Sequence, residues 1–101
     1  MATLINITDI EAIPSKLILQ KGDMLSFNAS GGHSISATNV VEMLGPFLSG
    51  YISGSGEIIS PSGAPGMVLF YARQDGTAQI DVVTGDPFYH PVTTFFKVKV
   101  L

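Results

Sequence analysis

Apolar and polar residues alternate along most of this chain with a period of two, the signature of strands with one buried and one wet face. In Met24–Ala29, Leu25, Phe27 and Ala29 share one face while Ser26 and Asn28 point away. Val68, Phe70 and Ala72 repeat the pattern, as do Ala78, Ile80 and Val82 against Thr77, Gln79 and Asp81. At the C-terminus Phe96, Val98 and Val100 alternate with Phe95, Lys97 and Lys99, which predicts a half-buried antiparallel strand. Leu25, Phe27, Val68, Phe70, Ile80, Val82, Phe96 and Val98 are therefore the expected core.

Turn residues fall where these strands have to end. Gly22-Asp23 separates Lys16–Gln20 from Met24–Ala29, and Gly63-Ala64-Pro65-Gly66 precedes Met67–Tyr71. Asp75-Gly76 lies between two alternating runs and predicts a hairpin. Gly85-Asp86-Pro87 closes Ala78–Val83, and Gly54-Ser55-Gly56 reads as a flexible hairpin tip. Weaker strands are expected at Leu4–Ile7 and Phe47–Ile52. Asn39–Leu44 has a helix cap in Thr38 or Asn39 and a stop at Gly45, but six residues with adjacent valines read better as a strand or a single turn. Seven or eight short strands at this spacing predict one antiparallel β-sandwich over residues 1–101, of jelly-roll or immunoglobulin-like type.

Composition changes this picture in three respects. The chain is 46% hydrophobic but only 13% charged, about half the usual charged share. Its surface must then be rich in Ser, Thr, Gly and Asn, or be covered by a partner. Together with a mean hydropathy of +0.39 and no membrane segment, this favours a homo-oligomer. The net charge is −3, and Lys16, Lys21, Arg73, Lys97 and Lys99 form no basic run, which argues against nucleic acid. There is no cysteine, hence no disulfide and no thiolate nucleophile. The first residues lack a basic n-region and an apolar h-region, so the expectation is a cytosolic protein or one exported without a conventional leader.

Catalytic and metal signals are weak. His33 and His90 are the two histidines. A blue-copper site would need a cysteine as well, and a type-2 copper or zinc site would need both imidazoles to converge with Asp81 or Asp86. Two solvated loop histidines are the expectation, with no metal and no cofactor. No Gly-x-Ser-x-Gly elbow precedes a helix, and Gly54-Ser55-Gly56 has no helix after it. Asp81 and Asp86, the one plausible acid pair, read as a solvated strand residue and a turn residue. The chain is therefore expected not to be an enzyme. Asn6-Ile7-Thr8 and Asn28-Ala29-Ser30 match the glycosylation sequon, and with no leader expected they read as chance matches.

The distinctive polar segment is Thr84-Gly85-Asp86-Pro87-Phe88-Tyr89-His90-Pro91. Two aromatic rings in so Pro/Gly-rich a loop resist joint burial. Beside Asp86 and His90, Phe88 and Tyr89 supply a stacking face and hydrogen-bonding groups, the chemistry of a sugar or peptide site. Asp86, Phe88, Tyr89 and His90 are the candidate ligand-binding residues. In the alternative, one of the rings caps the core.

Leu17–Ser30, Phe47–Gly56, Gly66–Ala72, Gly76–Val83, Asp86 and Phe95–Val100 follow one another in an order that resembles the small galactose-binding soluble bacterial lectins. That resemblance implies a jelly-roll sandwich without a signal peptide and with a glycan ligand. Those lectins hold calcium with an Asn-Asp pair followed by an Asn-Asn pair. Here Gly85 stands before Asp86 and no asparagine follows it, so a lectin of this sequence would be calcium-independent. A competing resemblance, carried by Gly22-Asp23, Gly76-Thr77-Ala78 and the final Phe-x-Val-x-Val strand, is to bacterial immunoglobulin-like domains and the sandwich inhibitors of cysteine proteases. The inhibitors' Asn-Pro-Thr-Thr-Gly and Arg-Pro-Trp loops are absent. A calcium-independent carbohydrate-binding module leads, followed by a structural, assembly or adhesion domain and then a protease inhibitor.

Overall fold

The computed structural model describes residues 2–60, 62–85 and 88–101. Ten strands follow in order: β1 (Leu4–Ile7), β2 (Lys16–Leu19), β3 (Met24–Phe27), β4 (Gly31–Ser36), β5 (Val41–Phe47), β6 (Tyr51–Ile52), β7 (Ile58–Ile59), β8 (Met67–Ala72), β9 (Gly76–Thr84) and β10 (Val92–Val100). A single 3-10 turn, Ile10–Ala12, interrupts the β1–β2 connection, where the Asp9 side chain accepts from the Glu11 amide. Two four-stranded sheets, in the orders β1-β3-β8-β5 and β2-β10-β9-β4, pack face to face, and β6 and β7 form a separate hairpin.

The eight expected core residues are all buried. The reason is the pleat: alternate side chains of β3 and β8 meet those of β9 and β10 across the sheet interface. Phe27 anchors the contact. Its ring lies edge-on to Phe70 of its own sheet and tilted against Phe96 of the facing sheet, at centroid distances of 5.7 Å in both cases.

Three expectations need correction. The sheets are mixed, because edge strands β1 and β2 run parallel to β3 and β10. Asp75-Gly76 does not turn a hairpin, since β8 and β9 belong to different sheets; Gly76 (φ 142°) begins the strand after a corner between them. And Phe47–Ile52 is not one continuous strand: β5 ends at Phe47, just beyond a register shift at Gly45-Pro46, where proline has no N–H for a ladder, and Tyr51–Ile52 forms the separate β6. By contrast, Gly54-Ser55-Gly56 is indeed a tip, closed by the Ser53 amide on the Glu57 carbonyl and the Gly56 amide on the Ser53 carbonyl.

The Gly22-Asp23 turn shows how a single side chain joins segments. Gly22 takes φ 98°, and the buried Asp23 carboxylate accepts from the Thr3 and Gln20 amides at 3.1 and 2.9 Å. It thereby ties the start of β1 to the end of β2. Strand polarity then leaves the β3–β4, β5–β8 and β9–β10 connections together at the opposite end, the apex of the sandwich.

Candidate functional site

Hydrogen bonds stitch three of the apical connections together, β3–β4, β5–β8 and β9–β10. The Ala29 amide donates to the Gly66 carbonyl at 3.2 Å, linking β3–β4 to the segment entering β8. On its other side the Ser30 amide and hydroxyl both donate to the Val83 carbonyl, at 2.9 and 3.2 Å, and the hydroxyl also reaches the Gly85 carbonyl at 3.4 Å. The short connection Asn28–Ser30 thus holds the two longer ones in place. Gly85 permits the third loop to leave its strand: it adopts φ 83°, and a Cβ there would stand 2.6 Å from the His90 carbonyl oxygen.

The three connections enclose an open cleft of about 530 Å³ lined by Asn28–Ser30, Ala64–Gly66, Gly85 and Phe88. Asn28 also lines a second recess of about 310 Å³ shared with Thr8, Asp9, Glu11 and Thr84. Phe88 and Tyr89 sit in a turn with 89% and 78% of their surface exposed, so neither ring caps the core. His90 is exposed beside them. Asp86 lies outside the described residues.

The apex carries more apolar surface than the aromatic loop alone. Phe47, Leu48, Tyr51, Ile52, Ile58 and Val92 are exposed as well. In the β6–β7 hairpin, Tyr51 opposes Ile59 and Ile52 opposes Ile58, so both faces of a two-stranded element are apolar. Sequence reading assigned Tyr51 and Ile52 to the end of one strand, Phe47–Ile52, and not to a separate hairpin. The available signal was the tip at Gly54–Gly56 between two apolar pairs, which marks a hairpin too short to bury itself.

His33 does not join the apical loop residues. It stands on the outward face of β4, directly across from Asp81 on β9, with Nδ1 2.9 Å from Oδ1. Asp81 is therefore not a solvated strand residue: its side chain is only 12% exposed. A carboxylate can only accept, so this bond places the imidazole hydrogen on Nδ1. Among the described residues no group of three or more His, Asp or Glu side chains gathers as a metal site would.

Fold and site together define a small two-sheet all-β domain that presents three joined loops at one end. No protein-family model and no curated protein matches the sequence. Solved structures do match in fold. The cysteine protease inhibitor EhICP2 from Entamoeba histolytica aligns over 99% of this chain and 97% of its own, at TM-score 0.59 and 12% identity. The solution structure of amebosin aligns over 100% and 99%, at TM-score 0.53 and 15% identity.

Proposed function

We propose that this chain is a non-enzymatic binding domain that presents its apical loops to a groove on a partner protein, in the manner of a cysteine protease inhibitor. The observation that carries this reading is the exposed apolar surface of the apical connections: Phe88 and Tyr89 in the β9–β10 loop, and the β6–β7 hairpin within the β5–β8 connection. Exposed aromatic and aliphatic side chains on a braced loop set are what a protein interface buries at its centre. A monosaccharide site needs one ring and a few hydroxyl partners, and leaves the hairpin unexplained.

Two further points support the reading. The parallel pairs β1–β3 and β2–β10 depart from the all-antiparallel jelly roll that the lectin resemblance implies. The fold likeness to EhICP2 adds a member of the proposed class.

Titration of a papain-like cysteine protease with the chain tests it. Stoichiometric loss of peptidase activity is expected, and it should disappear with Phe88→Ala and Tyr89→Ala. Full activity at excess chain would overturn the inhibitor reading. A glycan array run with and without chelator, with binding lost in Tyr89→Ala, would restore the calcium-independent sugar site in its place.

A further inference from the structure

Away from the apex, one sheet edge combines three features that no apical function uses. Strand β2 is an edge strand paired only with β10. The Ser15 and Leu19 carbonyls accept from the Lys97 and Leu101 amides, at 2.8 and 2.9 Å. In an extended chain the N–H and C=O of one residue point the same way and alternate from residue to residue. The backbone groups of Lys16 and Ile18 therefore point outward, along an open edge.

The side chains beside that edge are sorted by face. On the outer face Lys16 is the register partner of Lys97, and Ile18 of Lys99. Three of the five basic residues of an acidic chain thus share one patch, around an Ile18 that is 69% exposed. Like charges directly opposite one another weaken a sheet, and neither of the two ion pairs among the described residues involves these lysines. On the inner face, Leu17 lines a mostly apolar groove of about 380 Å³ between the two edge strands, with Ile5 and Ile13 on its walls and Thr3 and the buried Asp23 also lining it.

We infer that the β2 edge is a docking site for an extended acidic segment of another protein, which adds as a fifth strand to the β2-β10-β9-β4 sheet. Period two makes the specificity explicit. Every second side chain of the added strand faces Lys16, Lys97 and Lys99 and is Asp or Glu; the intervening ones drop toward Ile5, Ile13 and Leu17 and are aliphatic. Main-chain bonds to Lys16 and Ile18 supply the pairing, and the lysines exclude basic or neutral strands. The inference stands apart from the apical reading and shares no residue with it.

The test uses a labelled peptide of alternating glutamate and valine, about six residues long, the commonest strand length. Fluorescence anisotropy should show saturable, salt-sensitive binding to the full chain, with NMR shifts at residues 15–19 and 97–99 and none at 88–90. The peptide carrying lysine for glutamate should not bind. K16E/K97E/K99E should weaken binding at least about tenfold, since reversing the charges turns attraction into repulsion. Ile18→Pro removes an outward N–H and should also abolish binding; the lysine variant keeps the test decisive if this one fails to fold. Equal binding of both peptides overturns the inference. So does binding of phosphatidylserine vesicles without the peptide, or a self-associated chain whose mass is unchanged by peptide.

Discussion

His33 and Asp81 are neighbours across the β4–β9 ladder, forty-eight positions apart in the chain, and their side chains meet at 2.9 Å. The pair lies on the outward face, with Phe95 as the register partner of Asp81 on the other side. A double-mutant cycle of His33→Ala and Asp81→Ala is expected to give a coupling of about 0.5–1 kcal/mol, the range of a cross-strand pair with one member largely in water. Urea unfolding of the four proteins measures it. A coupling of zero would show that the contact adds nothing to stability.

Truncation of a ring packed within the core should be far more costly. Phe70 is completely buried and takes the edge-on contact of Phe27. Phe70→Ala is expected to lose about 3–5 kcal/mol, a large part of the stability of a small domain. Thermal unfolding checks this, and a loss under about 1 kcal/mol, typical of a surface position, would contradict the packing described.

Those two predictions mark the boundary between what could be read in the residues and what could not. Leu25, Phe27, Val68, Phe70, Ile80, Val82, Phe96 and Val98 are legible because each lies in a run where burial of one face forces a period of two. Strand β4 is not: Gly31-Gly32-His33-Ser34-Ile35-Ser36 is an edge segment with little apolar side chain to alternate. Without β4 the meeting of His33 with Asp81 cannot be foreseen, and Asp81 is mistaken for a solvated residue. Parallel pairing of β1 and β2 is equally silent, because it depends on partners distant in sequence. The exposure of Phe88 and Tyr89 follows from their Pro/Gly-rich loop, and the tip at Gly54–Gly56 was legible too, whereas the pairing of Tyr51 with Ile59 and of Ile52 with Ile58 was not.

Two adjacent glycines of β4 separate structural need from coincidence. A Cβ at Gly31 would meet nothing within 4 Å, whereas one at Gly32 would stand 2.6 Å from the Asp81 carbonyl oxygen and 3.1 Å from the Phe70 ring. Gly31→Ala is expected to change stability by no more than about 0.5 kcal/mol. Gly32→Ala should cost about 1–3 kcal/mol, because the added carbon pushes against backbone and a packed core ring. Equal melting temperatures for the two variants would mean that β4 does not lie against β9 as described.

The apical reading makes one prediction that a sugar site does not share. If a partner protein covers the whole apex, removing apolar side chains from either component should weaken binding. Phe88→Ala and Tyr89→Ala act on the β9–β10 loop, and Tyr51→Ser with Ile58→Ser acts on the β6–β7 hairpin. All four positions are largely in water, so their loss should leave the melting temperature within a few degrees. Each pair of substitutions should nevertheless weaken protease inhibition at least about tenfold, since buried aromatic and aliphatic anchors dominate protein interfaces. A sugar held by Tyr89 and His90 would lose affinity with the loop variants and keep it with the hairpin variants. Inhibition constants for wild type and both pairs, measured beside glycan binding, decide the matter. Unchanged inhibition in the hairpin variant would confine the interface to the aromatic loop and remove the reason for preferring a protein over a glycan.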